Sequence, residues 1–227
     1  MMEAKENLRY EIKFVSEISR YGYFKSWIIS HPLAFFEAYP TRKVNNIYFD
    51  DFDINSFVDN IDGTSLRKKM RLRWYGDTTN PKTAVLEIKC KKNKLGWKSV
   101  NKIDLTDFEL GKENYKTIIS FIKKQLSNEH RIALSFKDRP ILLNRYDREY
   151  YESRDRKVRF TIDRNIEFHN QRFAKKIRLR GNQEHSYVII EMKVQLNDVA
   201  IGMKALERIP LSPSKFSKFV TGVCTSK

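Results

Sequence analysis

The sequence predicts an α+β fold in which a closed antiparallel β-barrel carries helices packed on its outside. Three observations lead to this prediction. Apolar and polar residues alternate with a period of two along many short segments, cations collect on the polar side of these segments, and other segments repeat apolar residues at helical spacing. Together they indicate strands with one apolar and one charged face, and helices that cover the apolar faces.

Six segments alternate regularly, and three others do so less regularly, which gives eight or nine candidate strands. In the first segment, Arg9, Glu11 and Lys13 share one face, and apolar side chains share the other. The regular segments are 9–14, 69–74, 85–91, 157–163, 175–180 and 187–194. The less regular segments are 44–50, 98–105 and 141–150.

The charged strand faces favour closure of the sheet. In the simplest alternative, an open antiparallel sheet, these faces are only solvated. Solvated faces normally mix Lys with Glu, Thr, Ser and Gln, because like charges that face each other across a ladder are destabilising. A closed barrel resolves the conflict, since its charged faces point into a lumen and its apolar faces lie under helices. The arginines that accumulate are Arg71, Arg73, Arg159, Arg178 and Arg180.

Five segments are predicted as helices. The third has an apolar stripe at helical spacing that suits a sheet-covering role, and the first is broken at Pro32. The turn signals separate strands, and no linker or low-complexity tract is present, so a single domain is expected over residues 1–227. The predicted helices are 15–38, 53–61, 107–127, 198–208 and 213–223.

Composition excludes several classes of protein. At 227 residues with 41% hydrophobic content, the chain can bury a large core. Its two cysteines, Cys90 and Cys224, match no metal or redox spacing, so a reducing compartment fits best. No signal-peptide core and no membrane-spanning segment is evident. We therefore expect a cytoplasmic protein, or one held peripherally at a membrane by a partner.

A polyanionic partner would relieve the net charge of +16, from 44 Lys and Arg against 28 Asp and Glu, although many soluble basic proteins have no such partner. Nucleic acid, an anionic membrane surface and a phosphorylated small molecule all meet this requirement.

Several segments resemble the triphosphate tunnel metalloenzymes, a CYTH-like superfamily, and in particular the catalytic domain of the vacuolar transporter chaperone (VTC) polyphosphate polymerase. The resemblance covers almost the whole chain, and its last two segments are the more specific. It implies a closed eight-stranded antiparallel barrel with a basic tunnel. The segments are "RYEIKF", "MRLRWY", "LEIKCKK", "LNRYDREYY", "KVRFTID", "IIEMKV" and "PSKFSKFVTG".

The resemblance also implies site residues. The residues that are expected to bind the triphosphate and the growing chain are Lys13, Arg71, Arg73, Lys89, Arg148 and Arg159. Further substrate-binding residues are Arg9, Lys193, Lys215, Ser217, Lys218 and one of two tunnel lysines, Lys98 or Lys102. Glu191, with Glu11, matches the carboxylates that bind Mn²⁺ or Mg²⁺. Glu11, Glu87 and Glu191 also suit the simpler role of ion-pair partners for neighbouring lysines.

One departure from the superfamily concerns its opening E-x-E-x-K motif, where Arg9 replaces the first glutamate. The change removes a metal ligand and adds a phosphate contact, which favours a polymerase over a hydrolase. The expected function is an ATP-dependent polyphosphate polymerase, with ATP and inorganic polyphosphate as partners, no nucleic acid, and a membrane protein for any export. The alternatives are an inorganic or nucleoside triphosphatase of the same fold and a non-catalytic polyanion or RNA-binding module.

Overall fold

The structure, a computed structural model, describes residues 9–92, 95–179, 186–207, 209 and 211–226. The strands are β1 (Arg9–Glu17), β2 (Phe36–Asp50), β3 (Leu66–Tyr75), β4 (Thr83–Lys92), β5 (Leu95–Asp104), β6 (Arg139–Glu152), β7 (Val158–Asn170) and β8 (Tyr187–Gln195). The α-helices are α1 (Tyr21–Ile29), α2 (Asn55–Ile61), α3 (Tyr115–Lys124), α4 (Asn128–Phe136), α5 (Val199–Ala205) and α6 (Lys218–Thr225).

The strands form one eight-stranded antiparallel sheet in the order β1-β8-β7-β6-β2-β3-β4-β5. The α+β class and the eight strands expected from the sequence are therefore confirmed. Closure is not confirmed, because within the described residues β1 and β5 stand at the two ends of the hydrogen-bonded order. None of the helices in the described part of the chain is both long and apolar enough to cross a membrane.

The contacts divide the chain into two compact units. Unit 1 comprises residues 1–42, 146–166 and 184–216, and unit 2 comprises residues 43–145, 167–183 and 217–227. Each unit has a hydrophobic core of its own. In unit 1 the apolar faces of β1, β7 and β8 pack with α1 and α5. In unit 2 the apolar faces of β3, β4 and β5 pack with α3 and α4.

The predicted alternation of strand faces is confirmed. In β3, Met70, Leu72 and Trp74 are almost completely buried in the core of unit 2. The cations between them point to the other face. In unit 1, Phe160 and Ile162 of β7 enter the core in the same way, and Arg159 is exposed.

One predicted strand is wrong. Residues 175–179 form no strand, apart from an isolated bridge between Lys176 and Asn114, and Arg180 lies outside the described residues. The side chain of Gln171 bonds to both the backbone carbonyl and the backbone N–H of Arg178, at 2.8 and 2.9 Å. These backbone groups are thus satisfied without a neighbouring strand.

The predicted helix at 15–38 is also wrong over much of its length. Residues up to Glu17 continue the β1 ladder with β8, the helix covers only Tyr21–Ile29, and β2 begins at Phe36. The third predicted helix begins at Tyr115, because Asn114 caps its first turn by accepting a bond from the N–H of Thr117.

Gly222 in α6 provides a test of the packing in unit 2. A Cβ at this position would lie 2.5 Å from Leu142 and 2.6 Å from Phe168. Gly222→Ala should therefore lower the free energy of unfolding by about 1–3 kcal/mol, as overpacked cores do. The urea midpoint measures this loss.

The matched control is Gly22→Ala in α1, where an added Cβ has no neighbour within 4 Å. This change should raise the free energy of unfolding by roughly 0.5–1 kcal/mol, because alanine favours the helix. Equal midpoints for the two variants would contradict the close packing of α6.

Candidate functional site

The charged face of unit 1 contains four ionised side chains of alternating sign on β1 and β8. The register places Glu11 opposite Lys193, and Lys13 opposite Glu191. The ammonium of Lys13 lies 2.8 Å from a carboxylate oxygen of Glu11 and 3.7 Å from one of Glu191. Lys193 also pairs with Glu191. We call Glu11, Lys13, Glu191 and Lys193 the unit 1 quartet.

Arg148 and Arg159, both predicted triphosphate ligands, are also ion-paired in unit 1. Arg148 is buried, and its Nε and Nη2 donate to the two carboxylate oxygens of Asp163, at 2.6 and 2.7 Å. The pair uses two of the three guanidinium nitrogens. Arg159 bonds to Glu152 at 2.7 Å, and its side chain is half exposed.

A short segment of unit 1 lies against Lys13. The backbone N–H of Ser214 donates to the carbonyl of Lys13 at 2.7 Å, and the Lys13 ammonium lies 3.5 Å from the carbonyl of Phe216. Lys215 is exposed in this segment, before the last helix begins at Lys218. The predicted helix at 213–223 is therefore too long at its start.

In unit 2 the predicted phosphate-binding arginines surround a buried carboxylate. Glu87 accepts bonds from Nε and Nη2 of Arg71 at 2.7 and 2.5 Å, and Nη1 of Arg73 lies 3.7 Å from its other oxygen. Tyr48 accepts a bond from Arg71 at 3.3 Å, and Asn46 accepts one from Nε of Arg73 at 2.8 Å. We call Arg71, Arg73, Glu87, Tyr48 and Asn46 the unit 2 cluster.

Glu87 is ionised in this environment. Burial raises the pKa of its carboxyl group, but the charges of Arg71 and Arg73 and the bond from Arg71 outweigh burial and lower the pKa to about 2. The ion pairs therefore stabilise the fold above the ordinary pKa of a glutamate, and this contribution is lost only as the pH falls towards 2. The carboxylate keeps both guanidinium groups oriented at neutral pH.

The lysines of β4 and β5 extend this charged face. Lys98 lies opposite Lys89, and Lys102 lies opposite Val85, so all three lysines share the face. Lys98 also helps to lower the pKa of Glu87. This interaction associates Lys98 with the unit 2 cluster more closely than Lys102.

The start of α6 joins the charged face of unit 2. Ser217 caps the helix, and its hydroxyl oxygen accepts a bond from Lys69 at 3.0 Å. The ring of Phe219 packs on Tyr48 with centroids 5.0 Å apart, and the ammonium of Lys69 lies 5.3 Å from the same ring. Ser217 is therefore the N-cap and Lys218 the first residue of the last helix, whereas the sequence predicted both to lie inside a helix that begins at residue 213.

Arg9 stands at the start of β1, opposite Gln195, and is exposed. It lies two residues before Glu11, on the same strand face as the unit 1 quartet.

The residues of the quartet fit the divalent cation that the family resemblance implies. Glu11 and Glu191 both contact one ammonium, that of Lys13, so the two carboxylates can share a cation. Thr161 lies opposite Glu191, and its buried hydroxyl has no hydrogen-bond partner among the described residues. The described part of the chain contains no group of three metal-ligating side chains, so substrate oxygens and water would complete the coordination.

Several residues near these clusters have no site signal in the sequence. Lys69 belongs to the regular segment 69–74, but alternation there marks it only as one cation of a strand face. Asn46 and Tyr48 alternate on the predicted strand 44–50, which could have placed them on one face, but no charge marks them. Thr161 gives no sequence signal, because only the register shows that it lies beside Glu191.

Comparison with known proteins gives a family and a fold. No protein with a curated description shows significant sequence similarity to the chain. Among 29 similar chains of solved structures is a provisionally assigned adenylate cyclase from Vibrio parahaemolyticus. Its TM-score is 0.53 at 10% sequence identity, over 94% of this chain and 97% of that chain, so the two share a fold. The family model of the VTC domain matches residues 8–227, and the chain therefore belongs to the VTC domain family.

Proposed function

We propose that this protein is an ATP-dependent polyphosphate polymerase. It transfers the γ-phosphoryl group of ATP to the end of a polyphosphate chain in a basic tunnel and releases ADP. The observation that carries the proposal is the unit 2 cluster, in which an ionised, buried Glu87 holds Arg71 and Arg73 on one strand face. Membership of the VTC domain family supports ATP and polyphosphate as the substrates.

Phosphoryl transfer requires positioning and charge neutralisation more than covalent chemistry by the protein. The nucleophile is a terminal phosphate oxygen of the chain, which is already anionic. It attacks the γ-phosphorus of ATP, and the bond to the β-phosphate oxygen breaks. A Ser, Cys or His nucleophile is not needed for this reaction.

Arg71 and Arg73 suit the binding of successive phosphates. Residues two apart on a strand are separated by about 7 Å, so the two guanidinium groups can contact different phosphates of one linear chain. Their planar forks bind phosphate oxygens in pairs and remain charged in any environment. Glu87 orients both forks and balances part of their charge before the substrate binds.

Lys13, Lys89, Lys98 and Lys193 add compact point charges to the two charged faces. Phosphates that approach the quartet can bind Lys13 and Lys193 in place of Glu11 and Glu191, which leaves both carboxylates available to a Mn²⁺ or Mg²⁺ ion. When bound, such an ion neutralises charge on the phosphates.

The nearest rival reaction uses water as the acceptor, which would make the protein a triphosphatase. Incubation of the purified chain with ATP and Mn²⁺ separates the two functions. We expect polyphosphate chains and ADP to accumulate together, as seen by gel electrophoresis and nucleotide analysis. Orthophosphate released without polymer would identify a triphosphatase. Salt-sensitive RNA binding without nucleotide turnover would instead indicate a polyanion-binding module.

Arg73→Ala and Lys89→Ala should each lower turnover of ATP by about a hundredfold or more, because each removes a positioned charge at the phosphates. The far-ultraviolet circular dichroism of both variants should match that of the wild type. Lys68→Ala is the control, since Lys68 is exposed on the other face of β3. Wild-type turnover in either site variant would contradict the assignment of this face.

Glu191→Gln should raise the Mn²⁺ concentration for half-maximal activity about tenfold or more, since even partners of metal ligands contribute on this scale. Binding of ATP without metal should change much less. Glu17→Gln, at the exposed end of β1, is the control and should leave the titration unchanged. If the Mn²⁺ titration of Glu191→Gln matched the wild type, the ligand role would be wrong.

A further inference from the structure

Asn144 of β6 extends the unit 2 cluster by one buried amide. Its side chain is fully buried, and its Oδ1 accepts a bond from Nδ2 of Asn46 at 2.8 Å. Asn46 in turn accepts the bond from Nε of Arg73. The two amides thus form a chain of two hydrogen bonds that ends at the guanidinium of Arg73, which we propose binds phosphate.

The other end of this hydrogen-bond chain is the side-chain amide N–H of Asn144. Nδ2 of Asn144 is buried and has no hydrogen-bond partner among the described residues. Buried donors without an acceptor are rare, because the lost hydration is not replaced. At a binding site, an acceptor that arrives with the ligand accounts for such a group.

We propose that the amide N–H of Asn144 donates to a phosphate oxygen of a bound triphosphate or polyphosphate, beside Arg73. The inference rests on the proposed function, and it adds a specific ligand to the same site. Phosphate oxygens are acceptors that guanidinium groups such as that of Arg73 bind strongly. A neutral donor adds a hydrogen bond at this point without adding to the repulsion among the cations.

The competing explanation is that Asn144 only supports Asn46 and, through it, Arg73. A double-mutant cycle separates direct donation from support. The measurement is the dissociation constant of inorganic tripolyphosphate, determined by calorimetry without metal and without turnover. The variants are Asn144→Ala, Asn46→Ala and the double variant.

Asn144→Ala should weaken tripolyphosphate binding about tenfold or more, which is the effect of one hydrogen bond to a charged acceptor. The same change made in the Asn46→Ala background should still weaken it severalfold, because direct donation does not need Asn46. If the double variant binds as well as Asn46→Ala alone, Asn144 acts only through Asn46 and the proposal is overturned.

Asn101→Ala is the matched control. Asn101 of β5 also has a buried Nδ2 without a partner among the described residues. Its side chain lies on the strand face opposite to that of Lys98 and Lys102, away from the proposed phosphate site. This variant should bind tripolyphosphate within twofold of the wild type. An equal loss in Asn101→Ala and Asn144→Ala would show a general packing effect and overturn the proposal.

A measurement on the wild-type chain covers the case in which a variant does not fold. The side-chain amide resonances of Asn144 should shift when tripolyphosphate saturates a ¹⁵N-labelled sample, and those of Asn101 should not. Unmoved Asn144 resonances at saturation would contradict the proposal.

The two proposals can fail separately. A polymerising enzyme whose Asn144→Ala variant binds tripolyphosphate normally disproves only the role of Asn144. A chain that binds tripolyphosphate through Asn144 but makes no polymer disproves only the polymerase. A chain that neither binds tripolyphosphate nor makes polymer disproves both.

Discussion

The pairing of cations with carboxylates on the charged strand faces is the interaction on which this structure depends. A buried ion without a partner costs several kcal/mol, so a face rich in Arg and Lys needs counter-charges. Glu87 forms this ion pair with Arg71 in unit 2, and Asp163 forms it with Arg148 in unit 1. Because these carboxylates neutralise part of the local positive charge, the clusters carry a smaller share of the net charge of +16 than their arginines alone would give.

Under the proposed function, this pairing would determine how a polyphosphate binds. A phosphate would not meet free cations at Lys13, Arg71 and Arg73, but would exchange with or join carboxylates that already orient them. Such a site would discriminate by geometry as well as by charge, because the donors keep fixed positions before the ligand arrives. An open basic surface would attract any polyanion equally.

The sequence predicts the strand faces well and the contacts between strands poorly. Period-two alternation places Arg71, Arg73 and Lys89 on charged faces, because apolar residues between them must enter the core. The partners of these residues depend on register, which alternation does not determine, so the Asp163–Arg148 pair and the amide of Asn144 were missed. Alternation also predicts a strand at 175–180 that does not form. There the side chain of Gln171, instead of a neighbouring strand, bonds to the backbone groups of Arg178.

Crystallography of the chain with Mn²⁺ and tripolyphosphate would show whether phosphates bind at the paired cations. We expect an anomalous manganese peak at the carboxylates of Glu11 and Glu191, and phosphates in contact with Arg71 and Arg73. Phosphates bound only to exposed lysines on other surfaces, with the Arg71–Glu87 pair undisturbed and no metal at Glu191, would contradict this expectation.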